Sequence, residues 1–236
     1  MTEQIRISAK NLGEVALDYY CPRCFWIKLR FKDLPYQIFP GIFSSIDSYS
    51  KKMVHGWFDQ YRSAPQWLSE LGDLVGYRNP PHHSRFKLLD EKYNILLTGS
   101  PDGVLERRDG SRIIVDYKTA KFTDTQDFLY PMYETQLNVY ARLGNELGLA
   151  PVSSLALIYM DPVTDLIAPG APENHRADGF VLGFSAKIKD VPIRPDMIPP
   201  LLAETRRVYD AQQPPPGRAG CKECPIVQEM VTALTG

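Results

Sequence analysis

Apolar positions recur at helical spacing from the start of the chain. Leu12, Val15, Ala16 and Tyr19 follow Ser8, a residue type that caps helix N-termini, so residues 8–31 predict a helix running into Cys21 and Cys24, interrupted by Pro22. Residues 34–45 carry Pro35, Pro40 and Gly41 and predict irregular chain. A second helix is expected from near Asp47, through Lys51, Lys52, Val54, His55, Phe58 and Tyr61. A loop with Pro65 and with Pro80, Pro81, His82 and His83 comes next. From Phe86 the period changes from helical to two. Residues 86–89, 94–98, 103–107 and 112–118 predict successive strands of an antiparallel meander, with turn chemistry at Glu91-Lys92, at 99–101 and at Asp109-Gly110. A helix over 133–147, an apolar strand over 155–160 stopped by Asp161-Pro162, a Gly/Pro/Ala loop over 165–179 and an alternating strand over 180–187 follow. A last helix over 199–210 leads into the stiff segment from Gln212 to Gly217, which delivers Cys221. The fold class expected is mixed α/β of the α+β kind, a central mixed sheet flanked by helices.

Composition narrows what such a fold can be. The chain has 236 residues, 44% of them hydrophobic and 23% charged, with a formal net charge of −1, a size one domain can fill. No apolar stretch is long enough for a membrane helix, and the opening MTEQIRISAK lacks the apolar core of a secretion signal, so a soluble cytoplasmic protein with no membrane partner is expected. A pI near 6.4 lacks the basic excess of a sequence-indifferent nucleic-acid binder, so any nucleic acid must be held locally. The four cysteines form two C-x-x-C pairs, Cys21/Cys24 and Cys221/Cys224, near opposite ends of the chain. In a reducing compartment that points to a metal before disulfides; four thiolates suit tetrahedral zinc or an iron–sulfur cluster, and spacing alone does not choose.

The segment 99–120, GSPDGVLERRDGSRIIVDYKTA, holds the densest chemistry. Asp116 and Lys118 are two apart on a strand and share a face, with Tyr117 on the other. A two-residue Asp109-Gly110 turn would put Asp102 on the wrong face. A three-residue loop, Arg108-Asp109-Gly110 with Gly110 left-handed, pairs 107 with 111 and sets Asp102 across from Asp116. Two carboxylates so placed can share a hard cation, Mg²⁺ or Mn²⁺, beside a lysine able to orient water or to stabilise phosphoryl charge. Ile113, Ile114 and Val115 mark the strand as interior, and an interior strand ending in Asp and Lys needs a reason. On the next helix Gln136 and Tyr140 are four apart, in line with Leu143 and Leu147.

Pro101-Asp102, Asp116-Tyr117-Lys118 and the Q-x-x-x-Y pair Gln136/Tyr140, in this order, resemble the PD-(D/E)XK nuclease superfamily and its RecB-like branch. The resemblance implies a restriction-endonuclease-like core at about 47–190 within a single domain 1–236, with a cysteine clasp from 8–31 and 211–236. It implies a divalent metal held by Asp102, Asp116 and the Tyr117 carbonyl, with His55 of the preceding helix completing the site. Lys118 would assist the attacking water, and Gln136 and Tyr140 would face the lysine or the nucleic-acid backbone. The cysteines resemble those of AddB-type nucleases and CRISPR spacer-acquisition exonucleases, whose termini are pinned by a 4Fe-4S cluster, with Zn²⁺ as the alternative. That pattern has one cysteine early and three late, whereas this chain has two and two. The function implied is a metal-dependent deoxyribonuclease, an exonuclease or end-trimming enzyme of repair or defence acting on single-stranded DNA or a free end. The alternative is a catalytically silent subunit binding nucleic acid or a protein partner in a repair or defence complex. His82, His83 and His175 read as loop residues. The pairs Lys51-Lys52, Arg107-Arg108, Lys187/Lys189 and Arg206-Arg207 read as solvated faces, and Phe122, Phe128, Tyr130 and Tyr133 as packing side chains that could stack on bases.

Overall fold

The computed structural model describes residues 3–31, 40–121 and 128–235. Its frame is a five-stranded sheet of β2 (Leu74–Arg78), β5 (Gly103–Arg107), β6 (Arg112–Lys118), β7 (Val152–Pro162) and β10 (Phe184–Val191), in the order β10-β7-β6-β5-β2. Only β6 and β7 run parallel, as their connection through helix α4 (Tyr130–Glu146) requires. Both faces of this sheet are covered, so its central strands are almost continuously apolar. On β6, Ile114 packs toward α4, while Ile113 and Val115 pack with Val54 and Phe58 of α3 (Gly41–Tyr61) on the opposite face. Mixed sheets flanked by helices are the architecture expected. Among the described residues no helix is long and apolar enough to cross a membrane.

Several elements depart from the sequence expectation. The four-strand meander is two separate hairpins. β3 (Lys87–Asp90) and β4 (Ile95–Thr98) join β1 (Ile5–Ser8) in a three-stranded sheet of order β1-β4-β3, with β1 and β4 parallel, and the chain then crosses at 99–101 to begin β5 in the larger sheet. The expected helix over 8–31 is broken. Ser8 does cap it, its Oγ accepting from Asn11 N at 3.1 Å, but α1 (Ala9–Gly13) lasts one turn, and Pro22 opens α2 (Pro22–Arg30) at a position where its missing N–H costs nothing. Helix α3 starts at Gly41, ahead of Asp47; the expectation for 34–39 lies outside the described residues. β7 runs through Asp161 and Pro162 before ending, because Pro162 pairs with Phe184 at the start of edge strand β10. Strand β2, the two-residue hairpin of β8 (His175–Arg176) and β9 (Gly179–Phe180), and a terminal helix α6 (Glu223–Thr235), after α5 (Ile198–Asp210), complete the fold.

Candidate active site

The β5–β6 hairpin sets the geometry. Gly110 has φ of 82°, its N–H donates to Arg107 O at 3.0 Å, and Arg107 N–H donates to Ser111 O at 2.9 Å, which closes the three-residue loop. The ladder pairs Glu106 with Arg112 and Gly103 with Val115, so one further step brings Asp102 opposite Asp116. Asp102 Oδ2 accepts the Tyr117 backbone N–H at 3.1 Å, fixing the carboxylate at the carboxyl end of β6.

Asp116 and Lys118 face α4. Gln136 Nε2 donates to Asp116 Oδ1 at 3.1 Å and to the Tyr140 hydroxyl at 3.0 Å, so the Q-x-x-x-Y pair grips the carboxylate from one helix face. The Lys118 ammonium pairs with Asp116 Oδ2 and lies 4.0 Å from the Tyr133 ring centroid. Asp116 Oδ2 therefore has the Lys118 charge as its partner, whereas Gln136 Oε1 is buried with no hydrogen-bond partner among the described residues. A buried amide oxygen left so is costly unless something else satisfies it. Burial, and then the neighbouring charge of Asp102, push Asp116 up to about 7 against the opposing pull of Lys118. Burial and the Asp116 charge likewise raise Tyr140.

Helix α3 supplies two residues that the sequence did not single out for the site. Lys51 Nζ lies 2.7 Å from both Asp102 Oδ1 and Asp47 Oδ2. Burial works against the Lys51 ammonium, but the Asp102 and Asp47 carboxylates outweigh it and raise its pKa. Asp47 joins Asp102, Asp116, Lys118, Tyr133 and Gln136 in lining an open cleft of about 380 Å³. The available signal was the i,i+4 spacing of Asp47, Lys51 and His55 on one helix; Lys51-Lys52 read as a solvated pair, yet only Lys52 is exposed. The structure does not bring His55 to the carboxylates. Its ring stacks on Tyr77 of β2 with centroids 3.8 Å apart at 8°, and burial lowers its pKa. His82 is a loop residue held by Ser84 Oγ at 2.8 Å; His175, expected in a loop, instead opens strand β8 opposite Phe180, with its Nε2 2.8 Å from Pro169 O. Arg107, Arg108 and Arg207 are engaged by internal partners, Leu71 O, Asp73 and Glu204. Phe122 lies outside the described residues.

The site's donors are carboxylate oxygens, hard ligands of the kind that hold Mg²⁺ or Mn²⁺, and the ammonium groups of Lys118 and Lys51 stand against them, at Asp116 Oδ2 and Asp102 Oδ1, where positive charge is favoured. The pair also fixes a pH response. Between about pH 4 and 7 folded Asp116 keeps a proton that the unfolded chain has released, so its contribution is greatest below pH 4 and is lost as pH rises through about 7. In metal-free protein, Asp116→Asn is therefore expected to gain thermal stability relative to the parent across that window, by at most about 4 kcal/mol. Melting curves at intervals of pH read this, and a constant gap between the two proteins contradicts the assignment.

The four cysteines also meet. Cys21 precedes α2 and Cys24 lies in it; Cys221 sits in the turn before α6 and Cys224 in that helix. Their Sγ atoms all lie within 4.8 Å of one another, the one group of three or more His, Cys, Asp or Glu ligand atoms so gathered among the described residues. Arg23 Nε donates to Pro215 O at 3.2 Å and Trp26 Nε1 to Ala211 O at 2.9 Å, so α2 and the 211–217 segment are joined by side chains as well. Burial opposes ionisation of Cys21, but N–H groups of Cys24 and Arg218 bring its pKa to about 6, while burial raises Cys24 and Cys224, the latter to about 11. A cluster of this kind can bind a metal.

The family model for the PD-(D/E)XK nuclease superfamily matches residues 39–228. No curated protein matches the chain. Among solved structures, the crystal structure of SSO0001 is 14% identical with a TM-score of 0.48, over 89% of this chain and 80% of that one.

Proposed function

The chain belongs to the PD-(D/E)XK nuclease superfamily, and from that premise we propose that it is a Mg²⁺- or Mn²⁺-dependent deoxyribonuclease, an exonuclease or end-trimming enzyme of repair or defence in the cytoplasm. The observation that carries this is the pairing of Asp102 with Asp116 at the end of an interior strand, beside Lys118, with the buried Asp116 carboxylate gripped by Gln136. Asp102, Asp116 and the Tyr117 carbonyl would hold the ion. For His55 to join them its ring has to leave Tyr77. A divalent ion there would supply Lewis-acid stabilisation of phosphoryl charge and would lower the pKa of water.

The chain's own groups do the rest. Gln136, held by the Tyr140 hydroxyl, orients Asp116. Lys118, backed by the Tyr133 face, orients the attacking water and stabilises charge on the phosphate as the leaving oxygen departs. Lys51 ties Asp102 to α3 and supplies there the positive charge that a cation held by that carboxylate would supply when bound. Tyr49, Met53, Trp57 and Tyr61 are exposed at i,i+4 steps along α3, about 200° round the helix from the Asp47/Lys51 stripe, and so face away from the cleft. Single-stranded DNA or a free end is the substrate proposed.

A catalytically silent, nucleic-acid- or protein-binding subunit is the second reading, favoured by one fact: both carboxylates already carry lysine partners. Digestion of DNA strands labelled at either end, and of circular single strands, separates the possibilities. The proposal expects mononucleotides or short products from linear strands with Mg²⁺ or Mn²⁺, and none with chelator. Binding without cleavage under every metal condition overturns it.

A further inference from the structure

The cysteine cluster carries chemistry independent of the nuclease site, and its dimensions discriminate between the metals four thiolates can hold. Cys21 Sγ lies 3.5 Å from Cys224 Sγ, and Cys24 Sγ lies 3.7 Å from both Cys221 Sγ and Cys224 Sγ. All six separations fall within 4.8 Å. A single tetrahedral ion with bonds of about 2.3 Å spaces its ligand sulfurs about 3.8 Å apart. In a 4Fe-4S cubane each cysteine sulfur is carried outward by its own iron, which puts the sulfurs roughly 6 Å apart. The separations of 3.5 and 3.7 Å match the first, and none of the six, all within 4.8 Å, reaches the second. They are also far beyond the S–S bond length of about 2.05 Å, so the four sulfurs are packed as ligands rather than bonded as disulfides.

The surroundings agree with a small closed site. Arg218 N–H donates to Cys21 Sγ at 3.2 Å, as expected of a backbone amide serving a thiolate. Gly217 leaves no space for a larger residue, since a Cβ there would stand 2.8 Å from Cys224 Sγ, so the chain is folded tightly around the sulfurs. The equal two-and-two division of the cysteines matches the paired C-x-x-C arrangement of structural zinc sites.

We propose that Cys21, Cys24, Cys221 and Cys224 bind one zinc ion as a closed tetrahedral site that clasps the start of α2 to the turn before α6, and that this chain holds no 4Fe-4S cluster there. With four protein ligands the ion has no open position, so its role is structural.

The test uses the full chain, purified without oxygen and offered both Zn²⁺ and Fe²⁺ with sulfide, then dialysed against EDTA to strip ions from open carboxylate sites. The expected outcome is one zinc per chain, with iron and acid-labile sulfide near zero. Replacement by Co²⁺ should give the visible bands and thiolate charge-transfer absorption of tetrahedral four-thiolate cobalt, a readout on the parent chain that does not depend on any variant folding. Cys24→Ser should lose the zinc, and Asp116→Ala should keep it. Iron and sulfide in equal amount with absorption near 400 nm overturns the proposal. So does a chain that takes up neither metal and whose mass shows four hydrogens lost to two disulfides. Neither of those results touches the nuclease assignment, which is read by DNA cleavage.

Discussion

Asp116→Ala is expected to leave the protein folded while removing divalent-metal binding at the cleft and slowing cleavage by at least about 10³-fold. A cation clamped against a phosphoryl oxygen contributes several kcal/mol of charge stabilisation, and each 1.36 kcal/mol is tenfold in rate. Asp116 is the buried carboxylate that Gln136 orients and that Lys118 pairs with. Lys118→Ala should cost about 10²- to 10³-fold while metal still binds, because it removes a charge aimed at the reacting phosphate and not a ligand. Titration calorimetry with Mn²⁺ separates the two variants: binding is lost in the first and kept in the second. The fold should tolerate Asp116→Ala, since a side chain 2% exposed whose carboxyl is pushed up to about 7 is held at an energetic disadvantage in the metal-free protein.

The second large effect is on stability. Gly13 ends α1 where it crosses α4, and a Cβ there would stand 2.5 Å from Met132 O and 3.0 Å from Met132 Cα. Backbone atoms of a packed helix cannot yield as a flexible side chain can, so Gly13→Ala must push the two helices apart. Overpacking of this kind costs about 3 kcal/mol, which for a chain of this length lowers Tm by about 6–12 °C. Because α4 carries Gln136 and Tyr140, cleavage should fall as well. Gly56 is the control. It lies inside α3, where an added Cβ would meet nothing within 4 Å, so Gly56→Ala should raise stability by about 0.5–1 kcal/mol through helix propensity alone. Thermal melts of the three proteins check both, and equal Tm values for Gly13→Ala and the parent contradict the packing described.

The parts of the site legible in the sequence were those fixed by local counting. Asp109-Gly110 marked the hairpin but allowed a two- or a three-residue loop; the three-residue loop with Gly110 left-handed is the one observed, and it puts Asp102 opposite Asp116, a step that needs only neighbouring residues and the two-residue period of a strand. The paired cysteines were legible as a meeting point because thiols at such spacing have few other uses. What escaped notice depends on long-range partners. The parallel pairing of β1 with β4 joins residues ninety apart, Ile5 with Ile95, and nothing in IRIS announces a partner. The crossing at 99–101 looked like one more turn, because Gly and Pro serve a change of sheet as readily as a hairpin. On α3 the spacing of Asp47, Lys51 and His55 showed a shared stripe. It could not show that helix placement would turn Asp47 to the cleft, set Lys51 on Asp102 and lay His55 on Tyr77.

One comparison decides whether the carboxylate pair is a nuclease centre. The rate of nucleotide release from single-stranded DNA in Mn²⁺ is measured for the parent chain, for Asp116→Ala and for Lys118→Ala, each first shown to be folded by its melting curve. The parent is predicted to release nucleotides only with the metal present, and both variants to fall to background or within about 10²-fold of it. Equal release by all three proteins, or none from the parent under any metal, would contradict the assignment of Asp102, Asp116 and Lys118 as the site of phosphodiester hydrolysis.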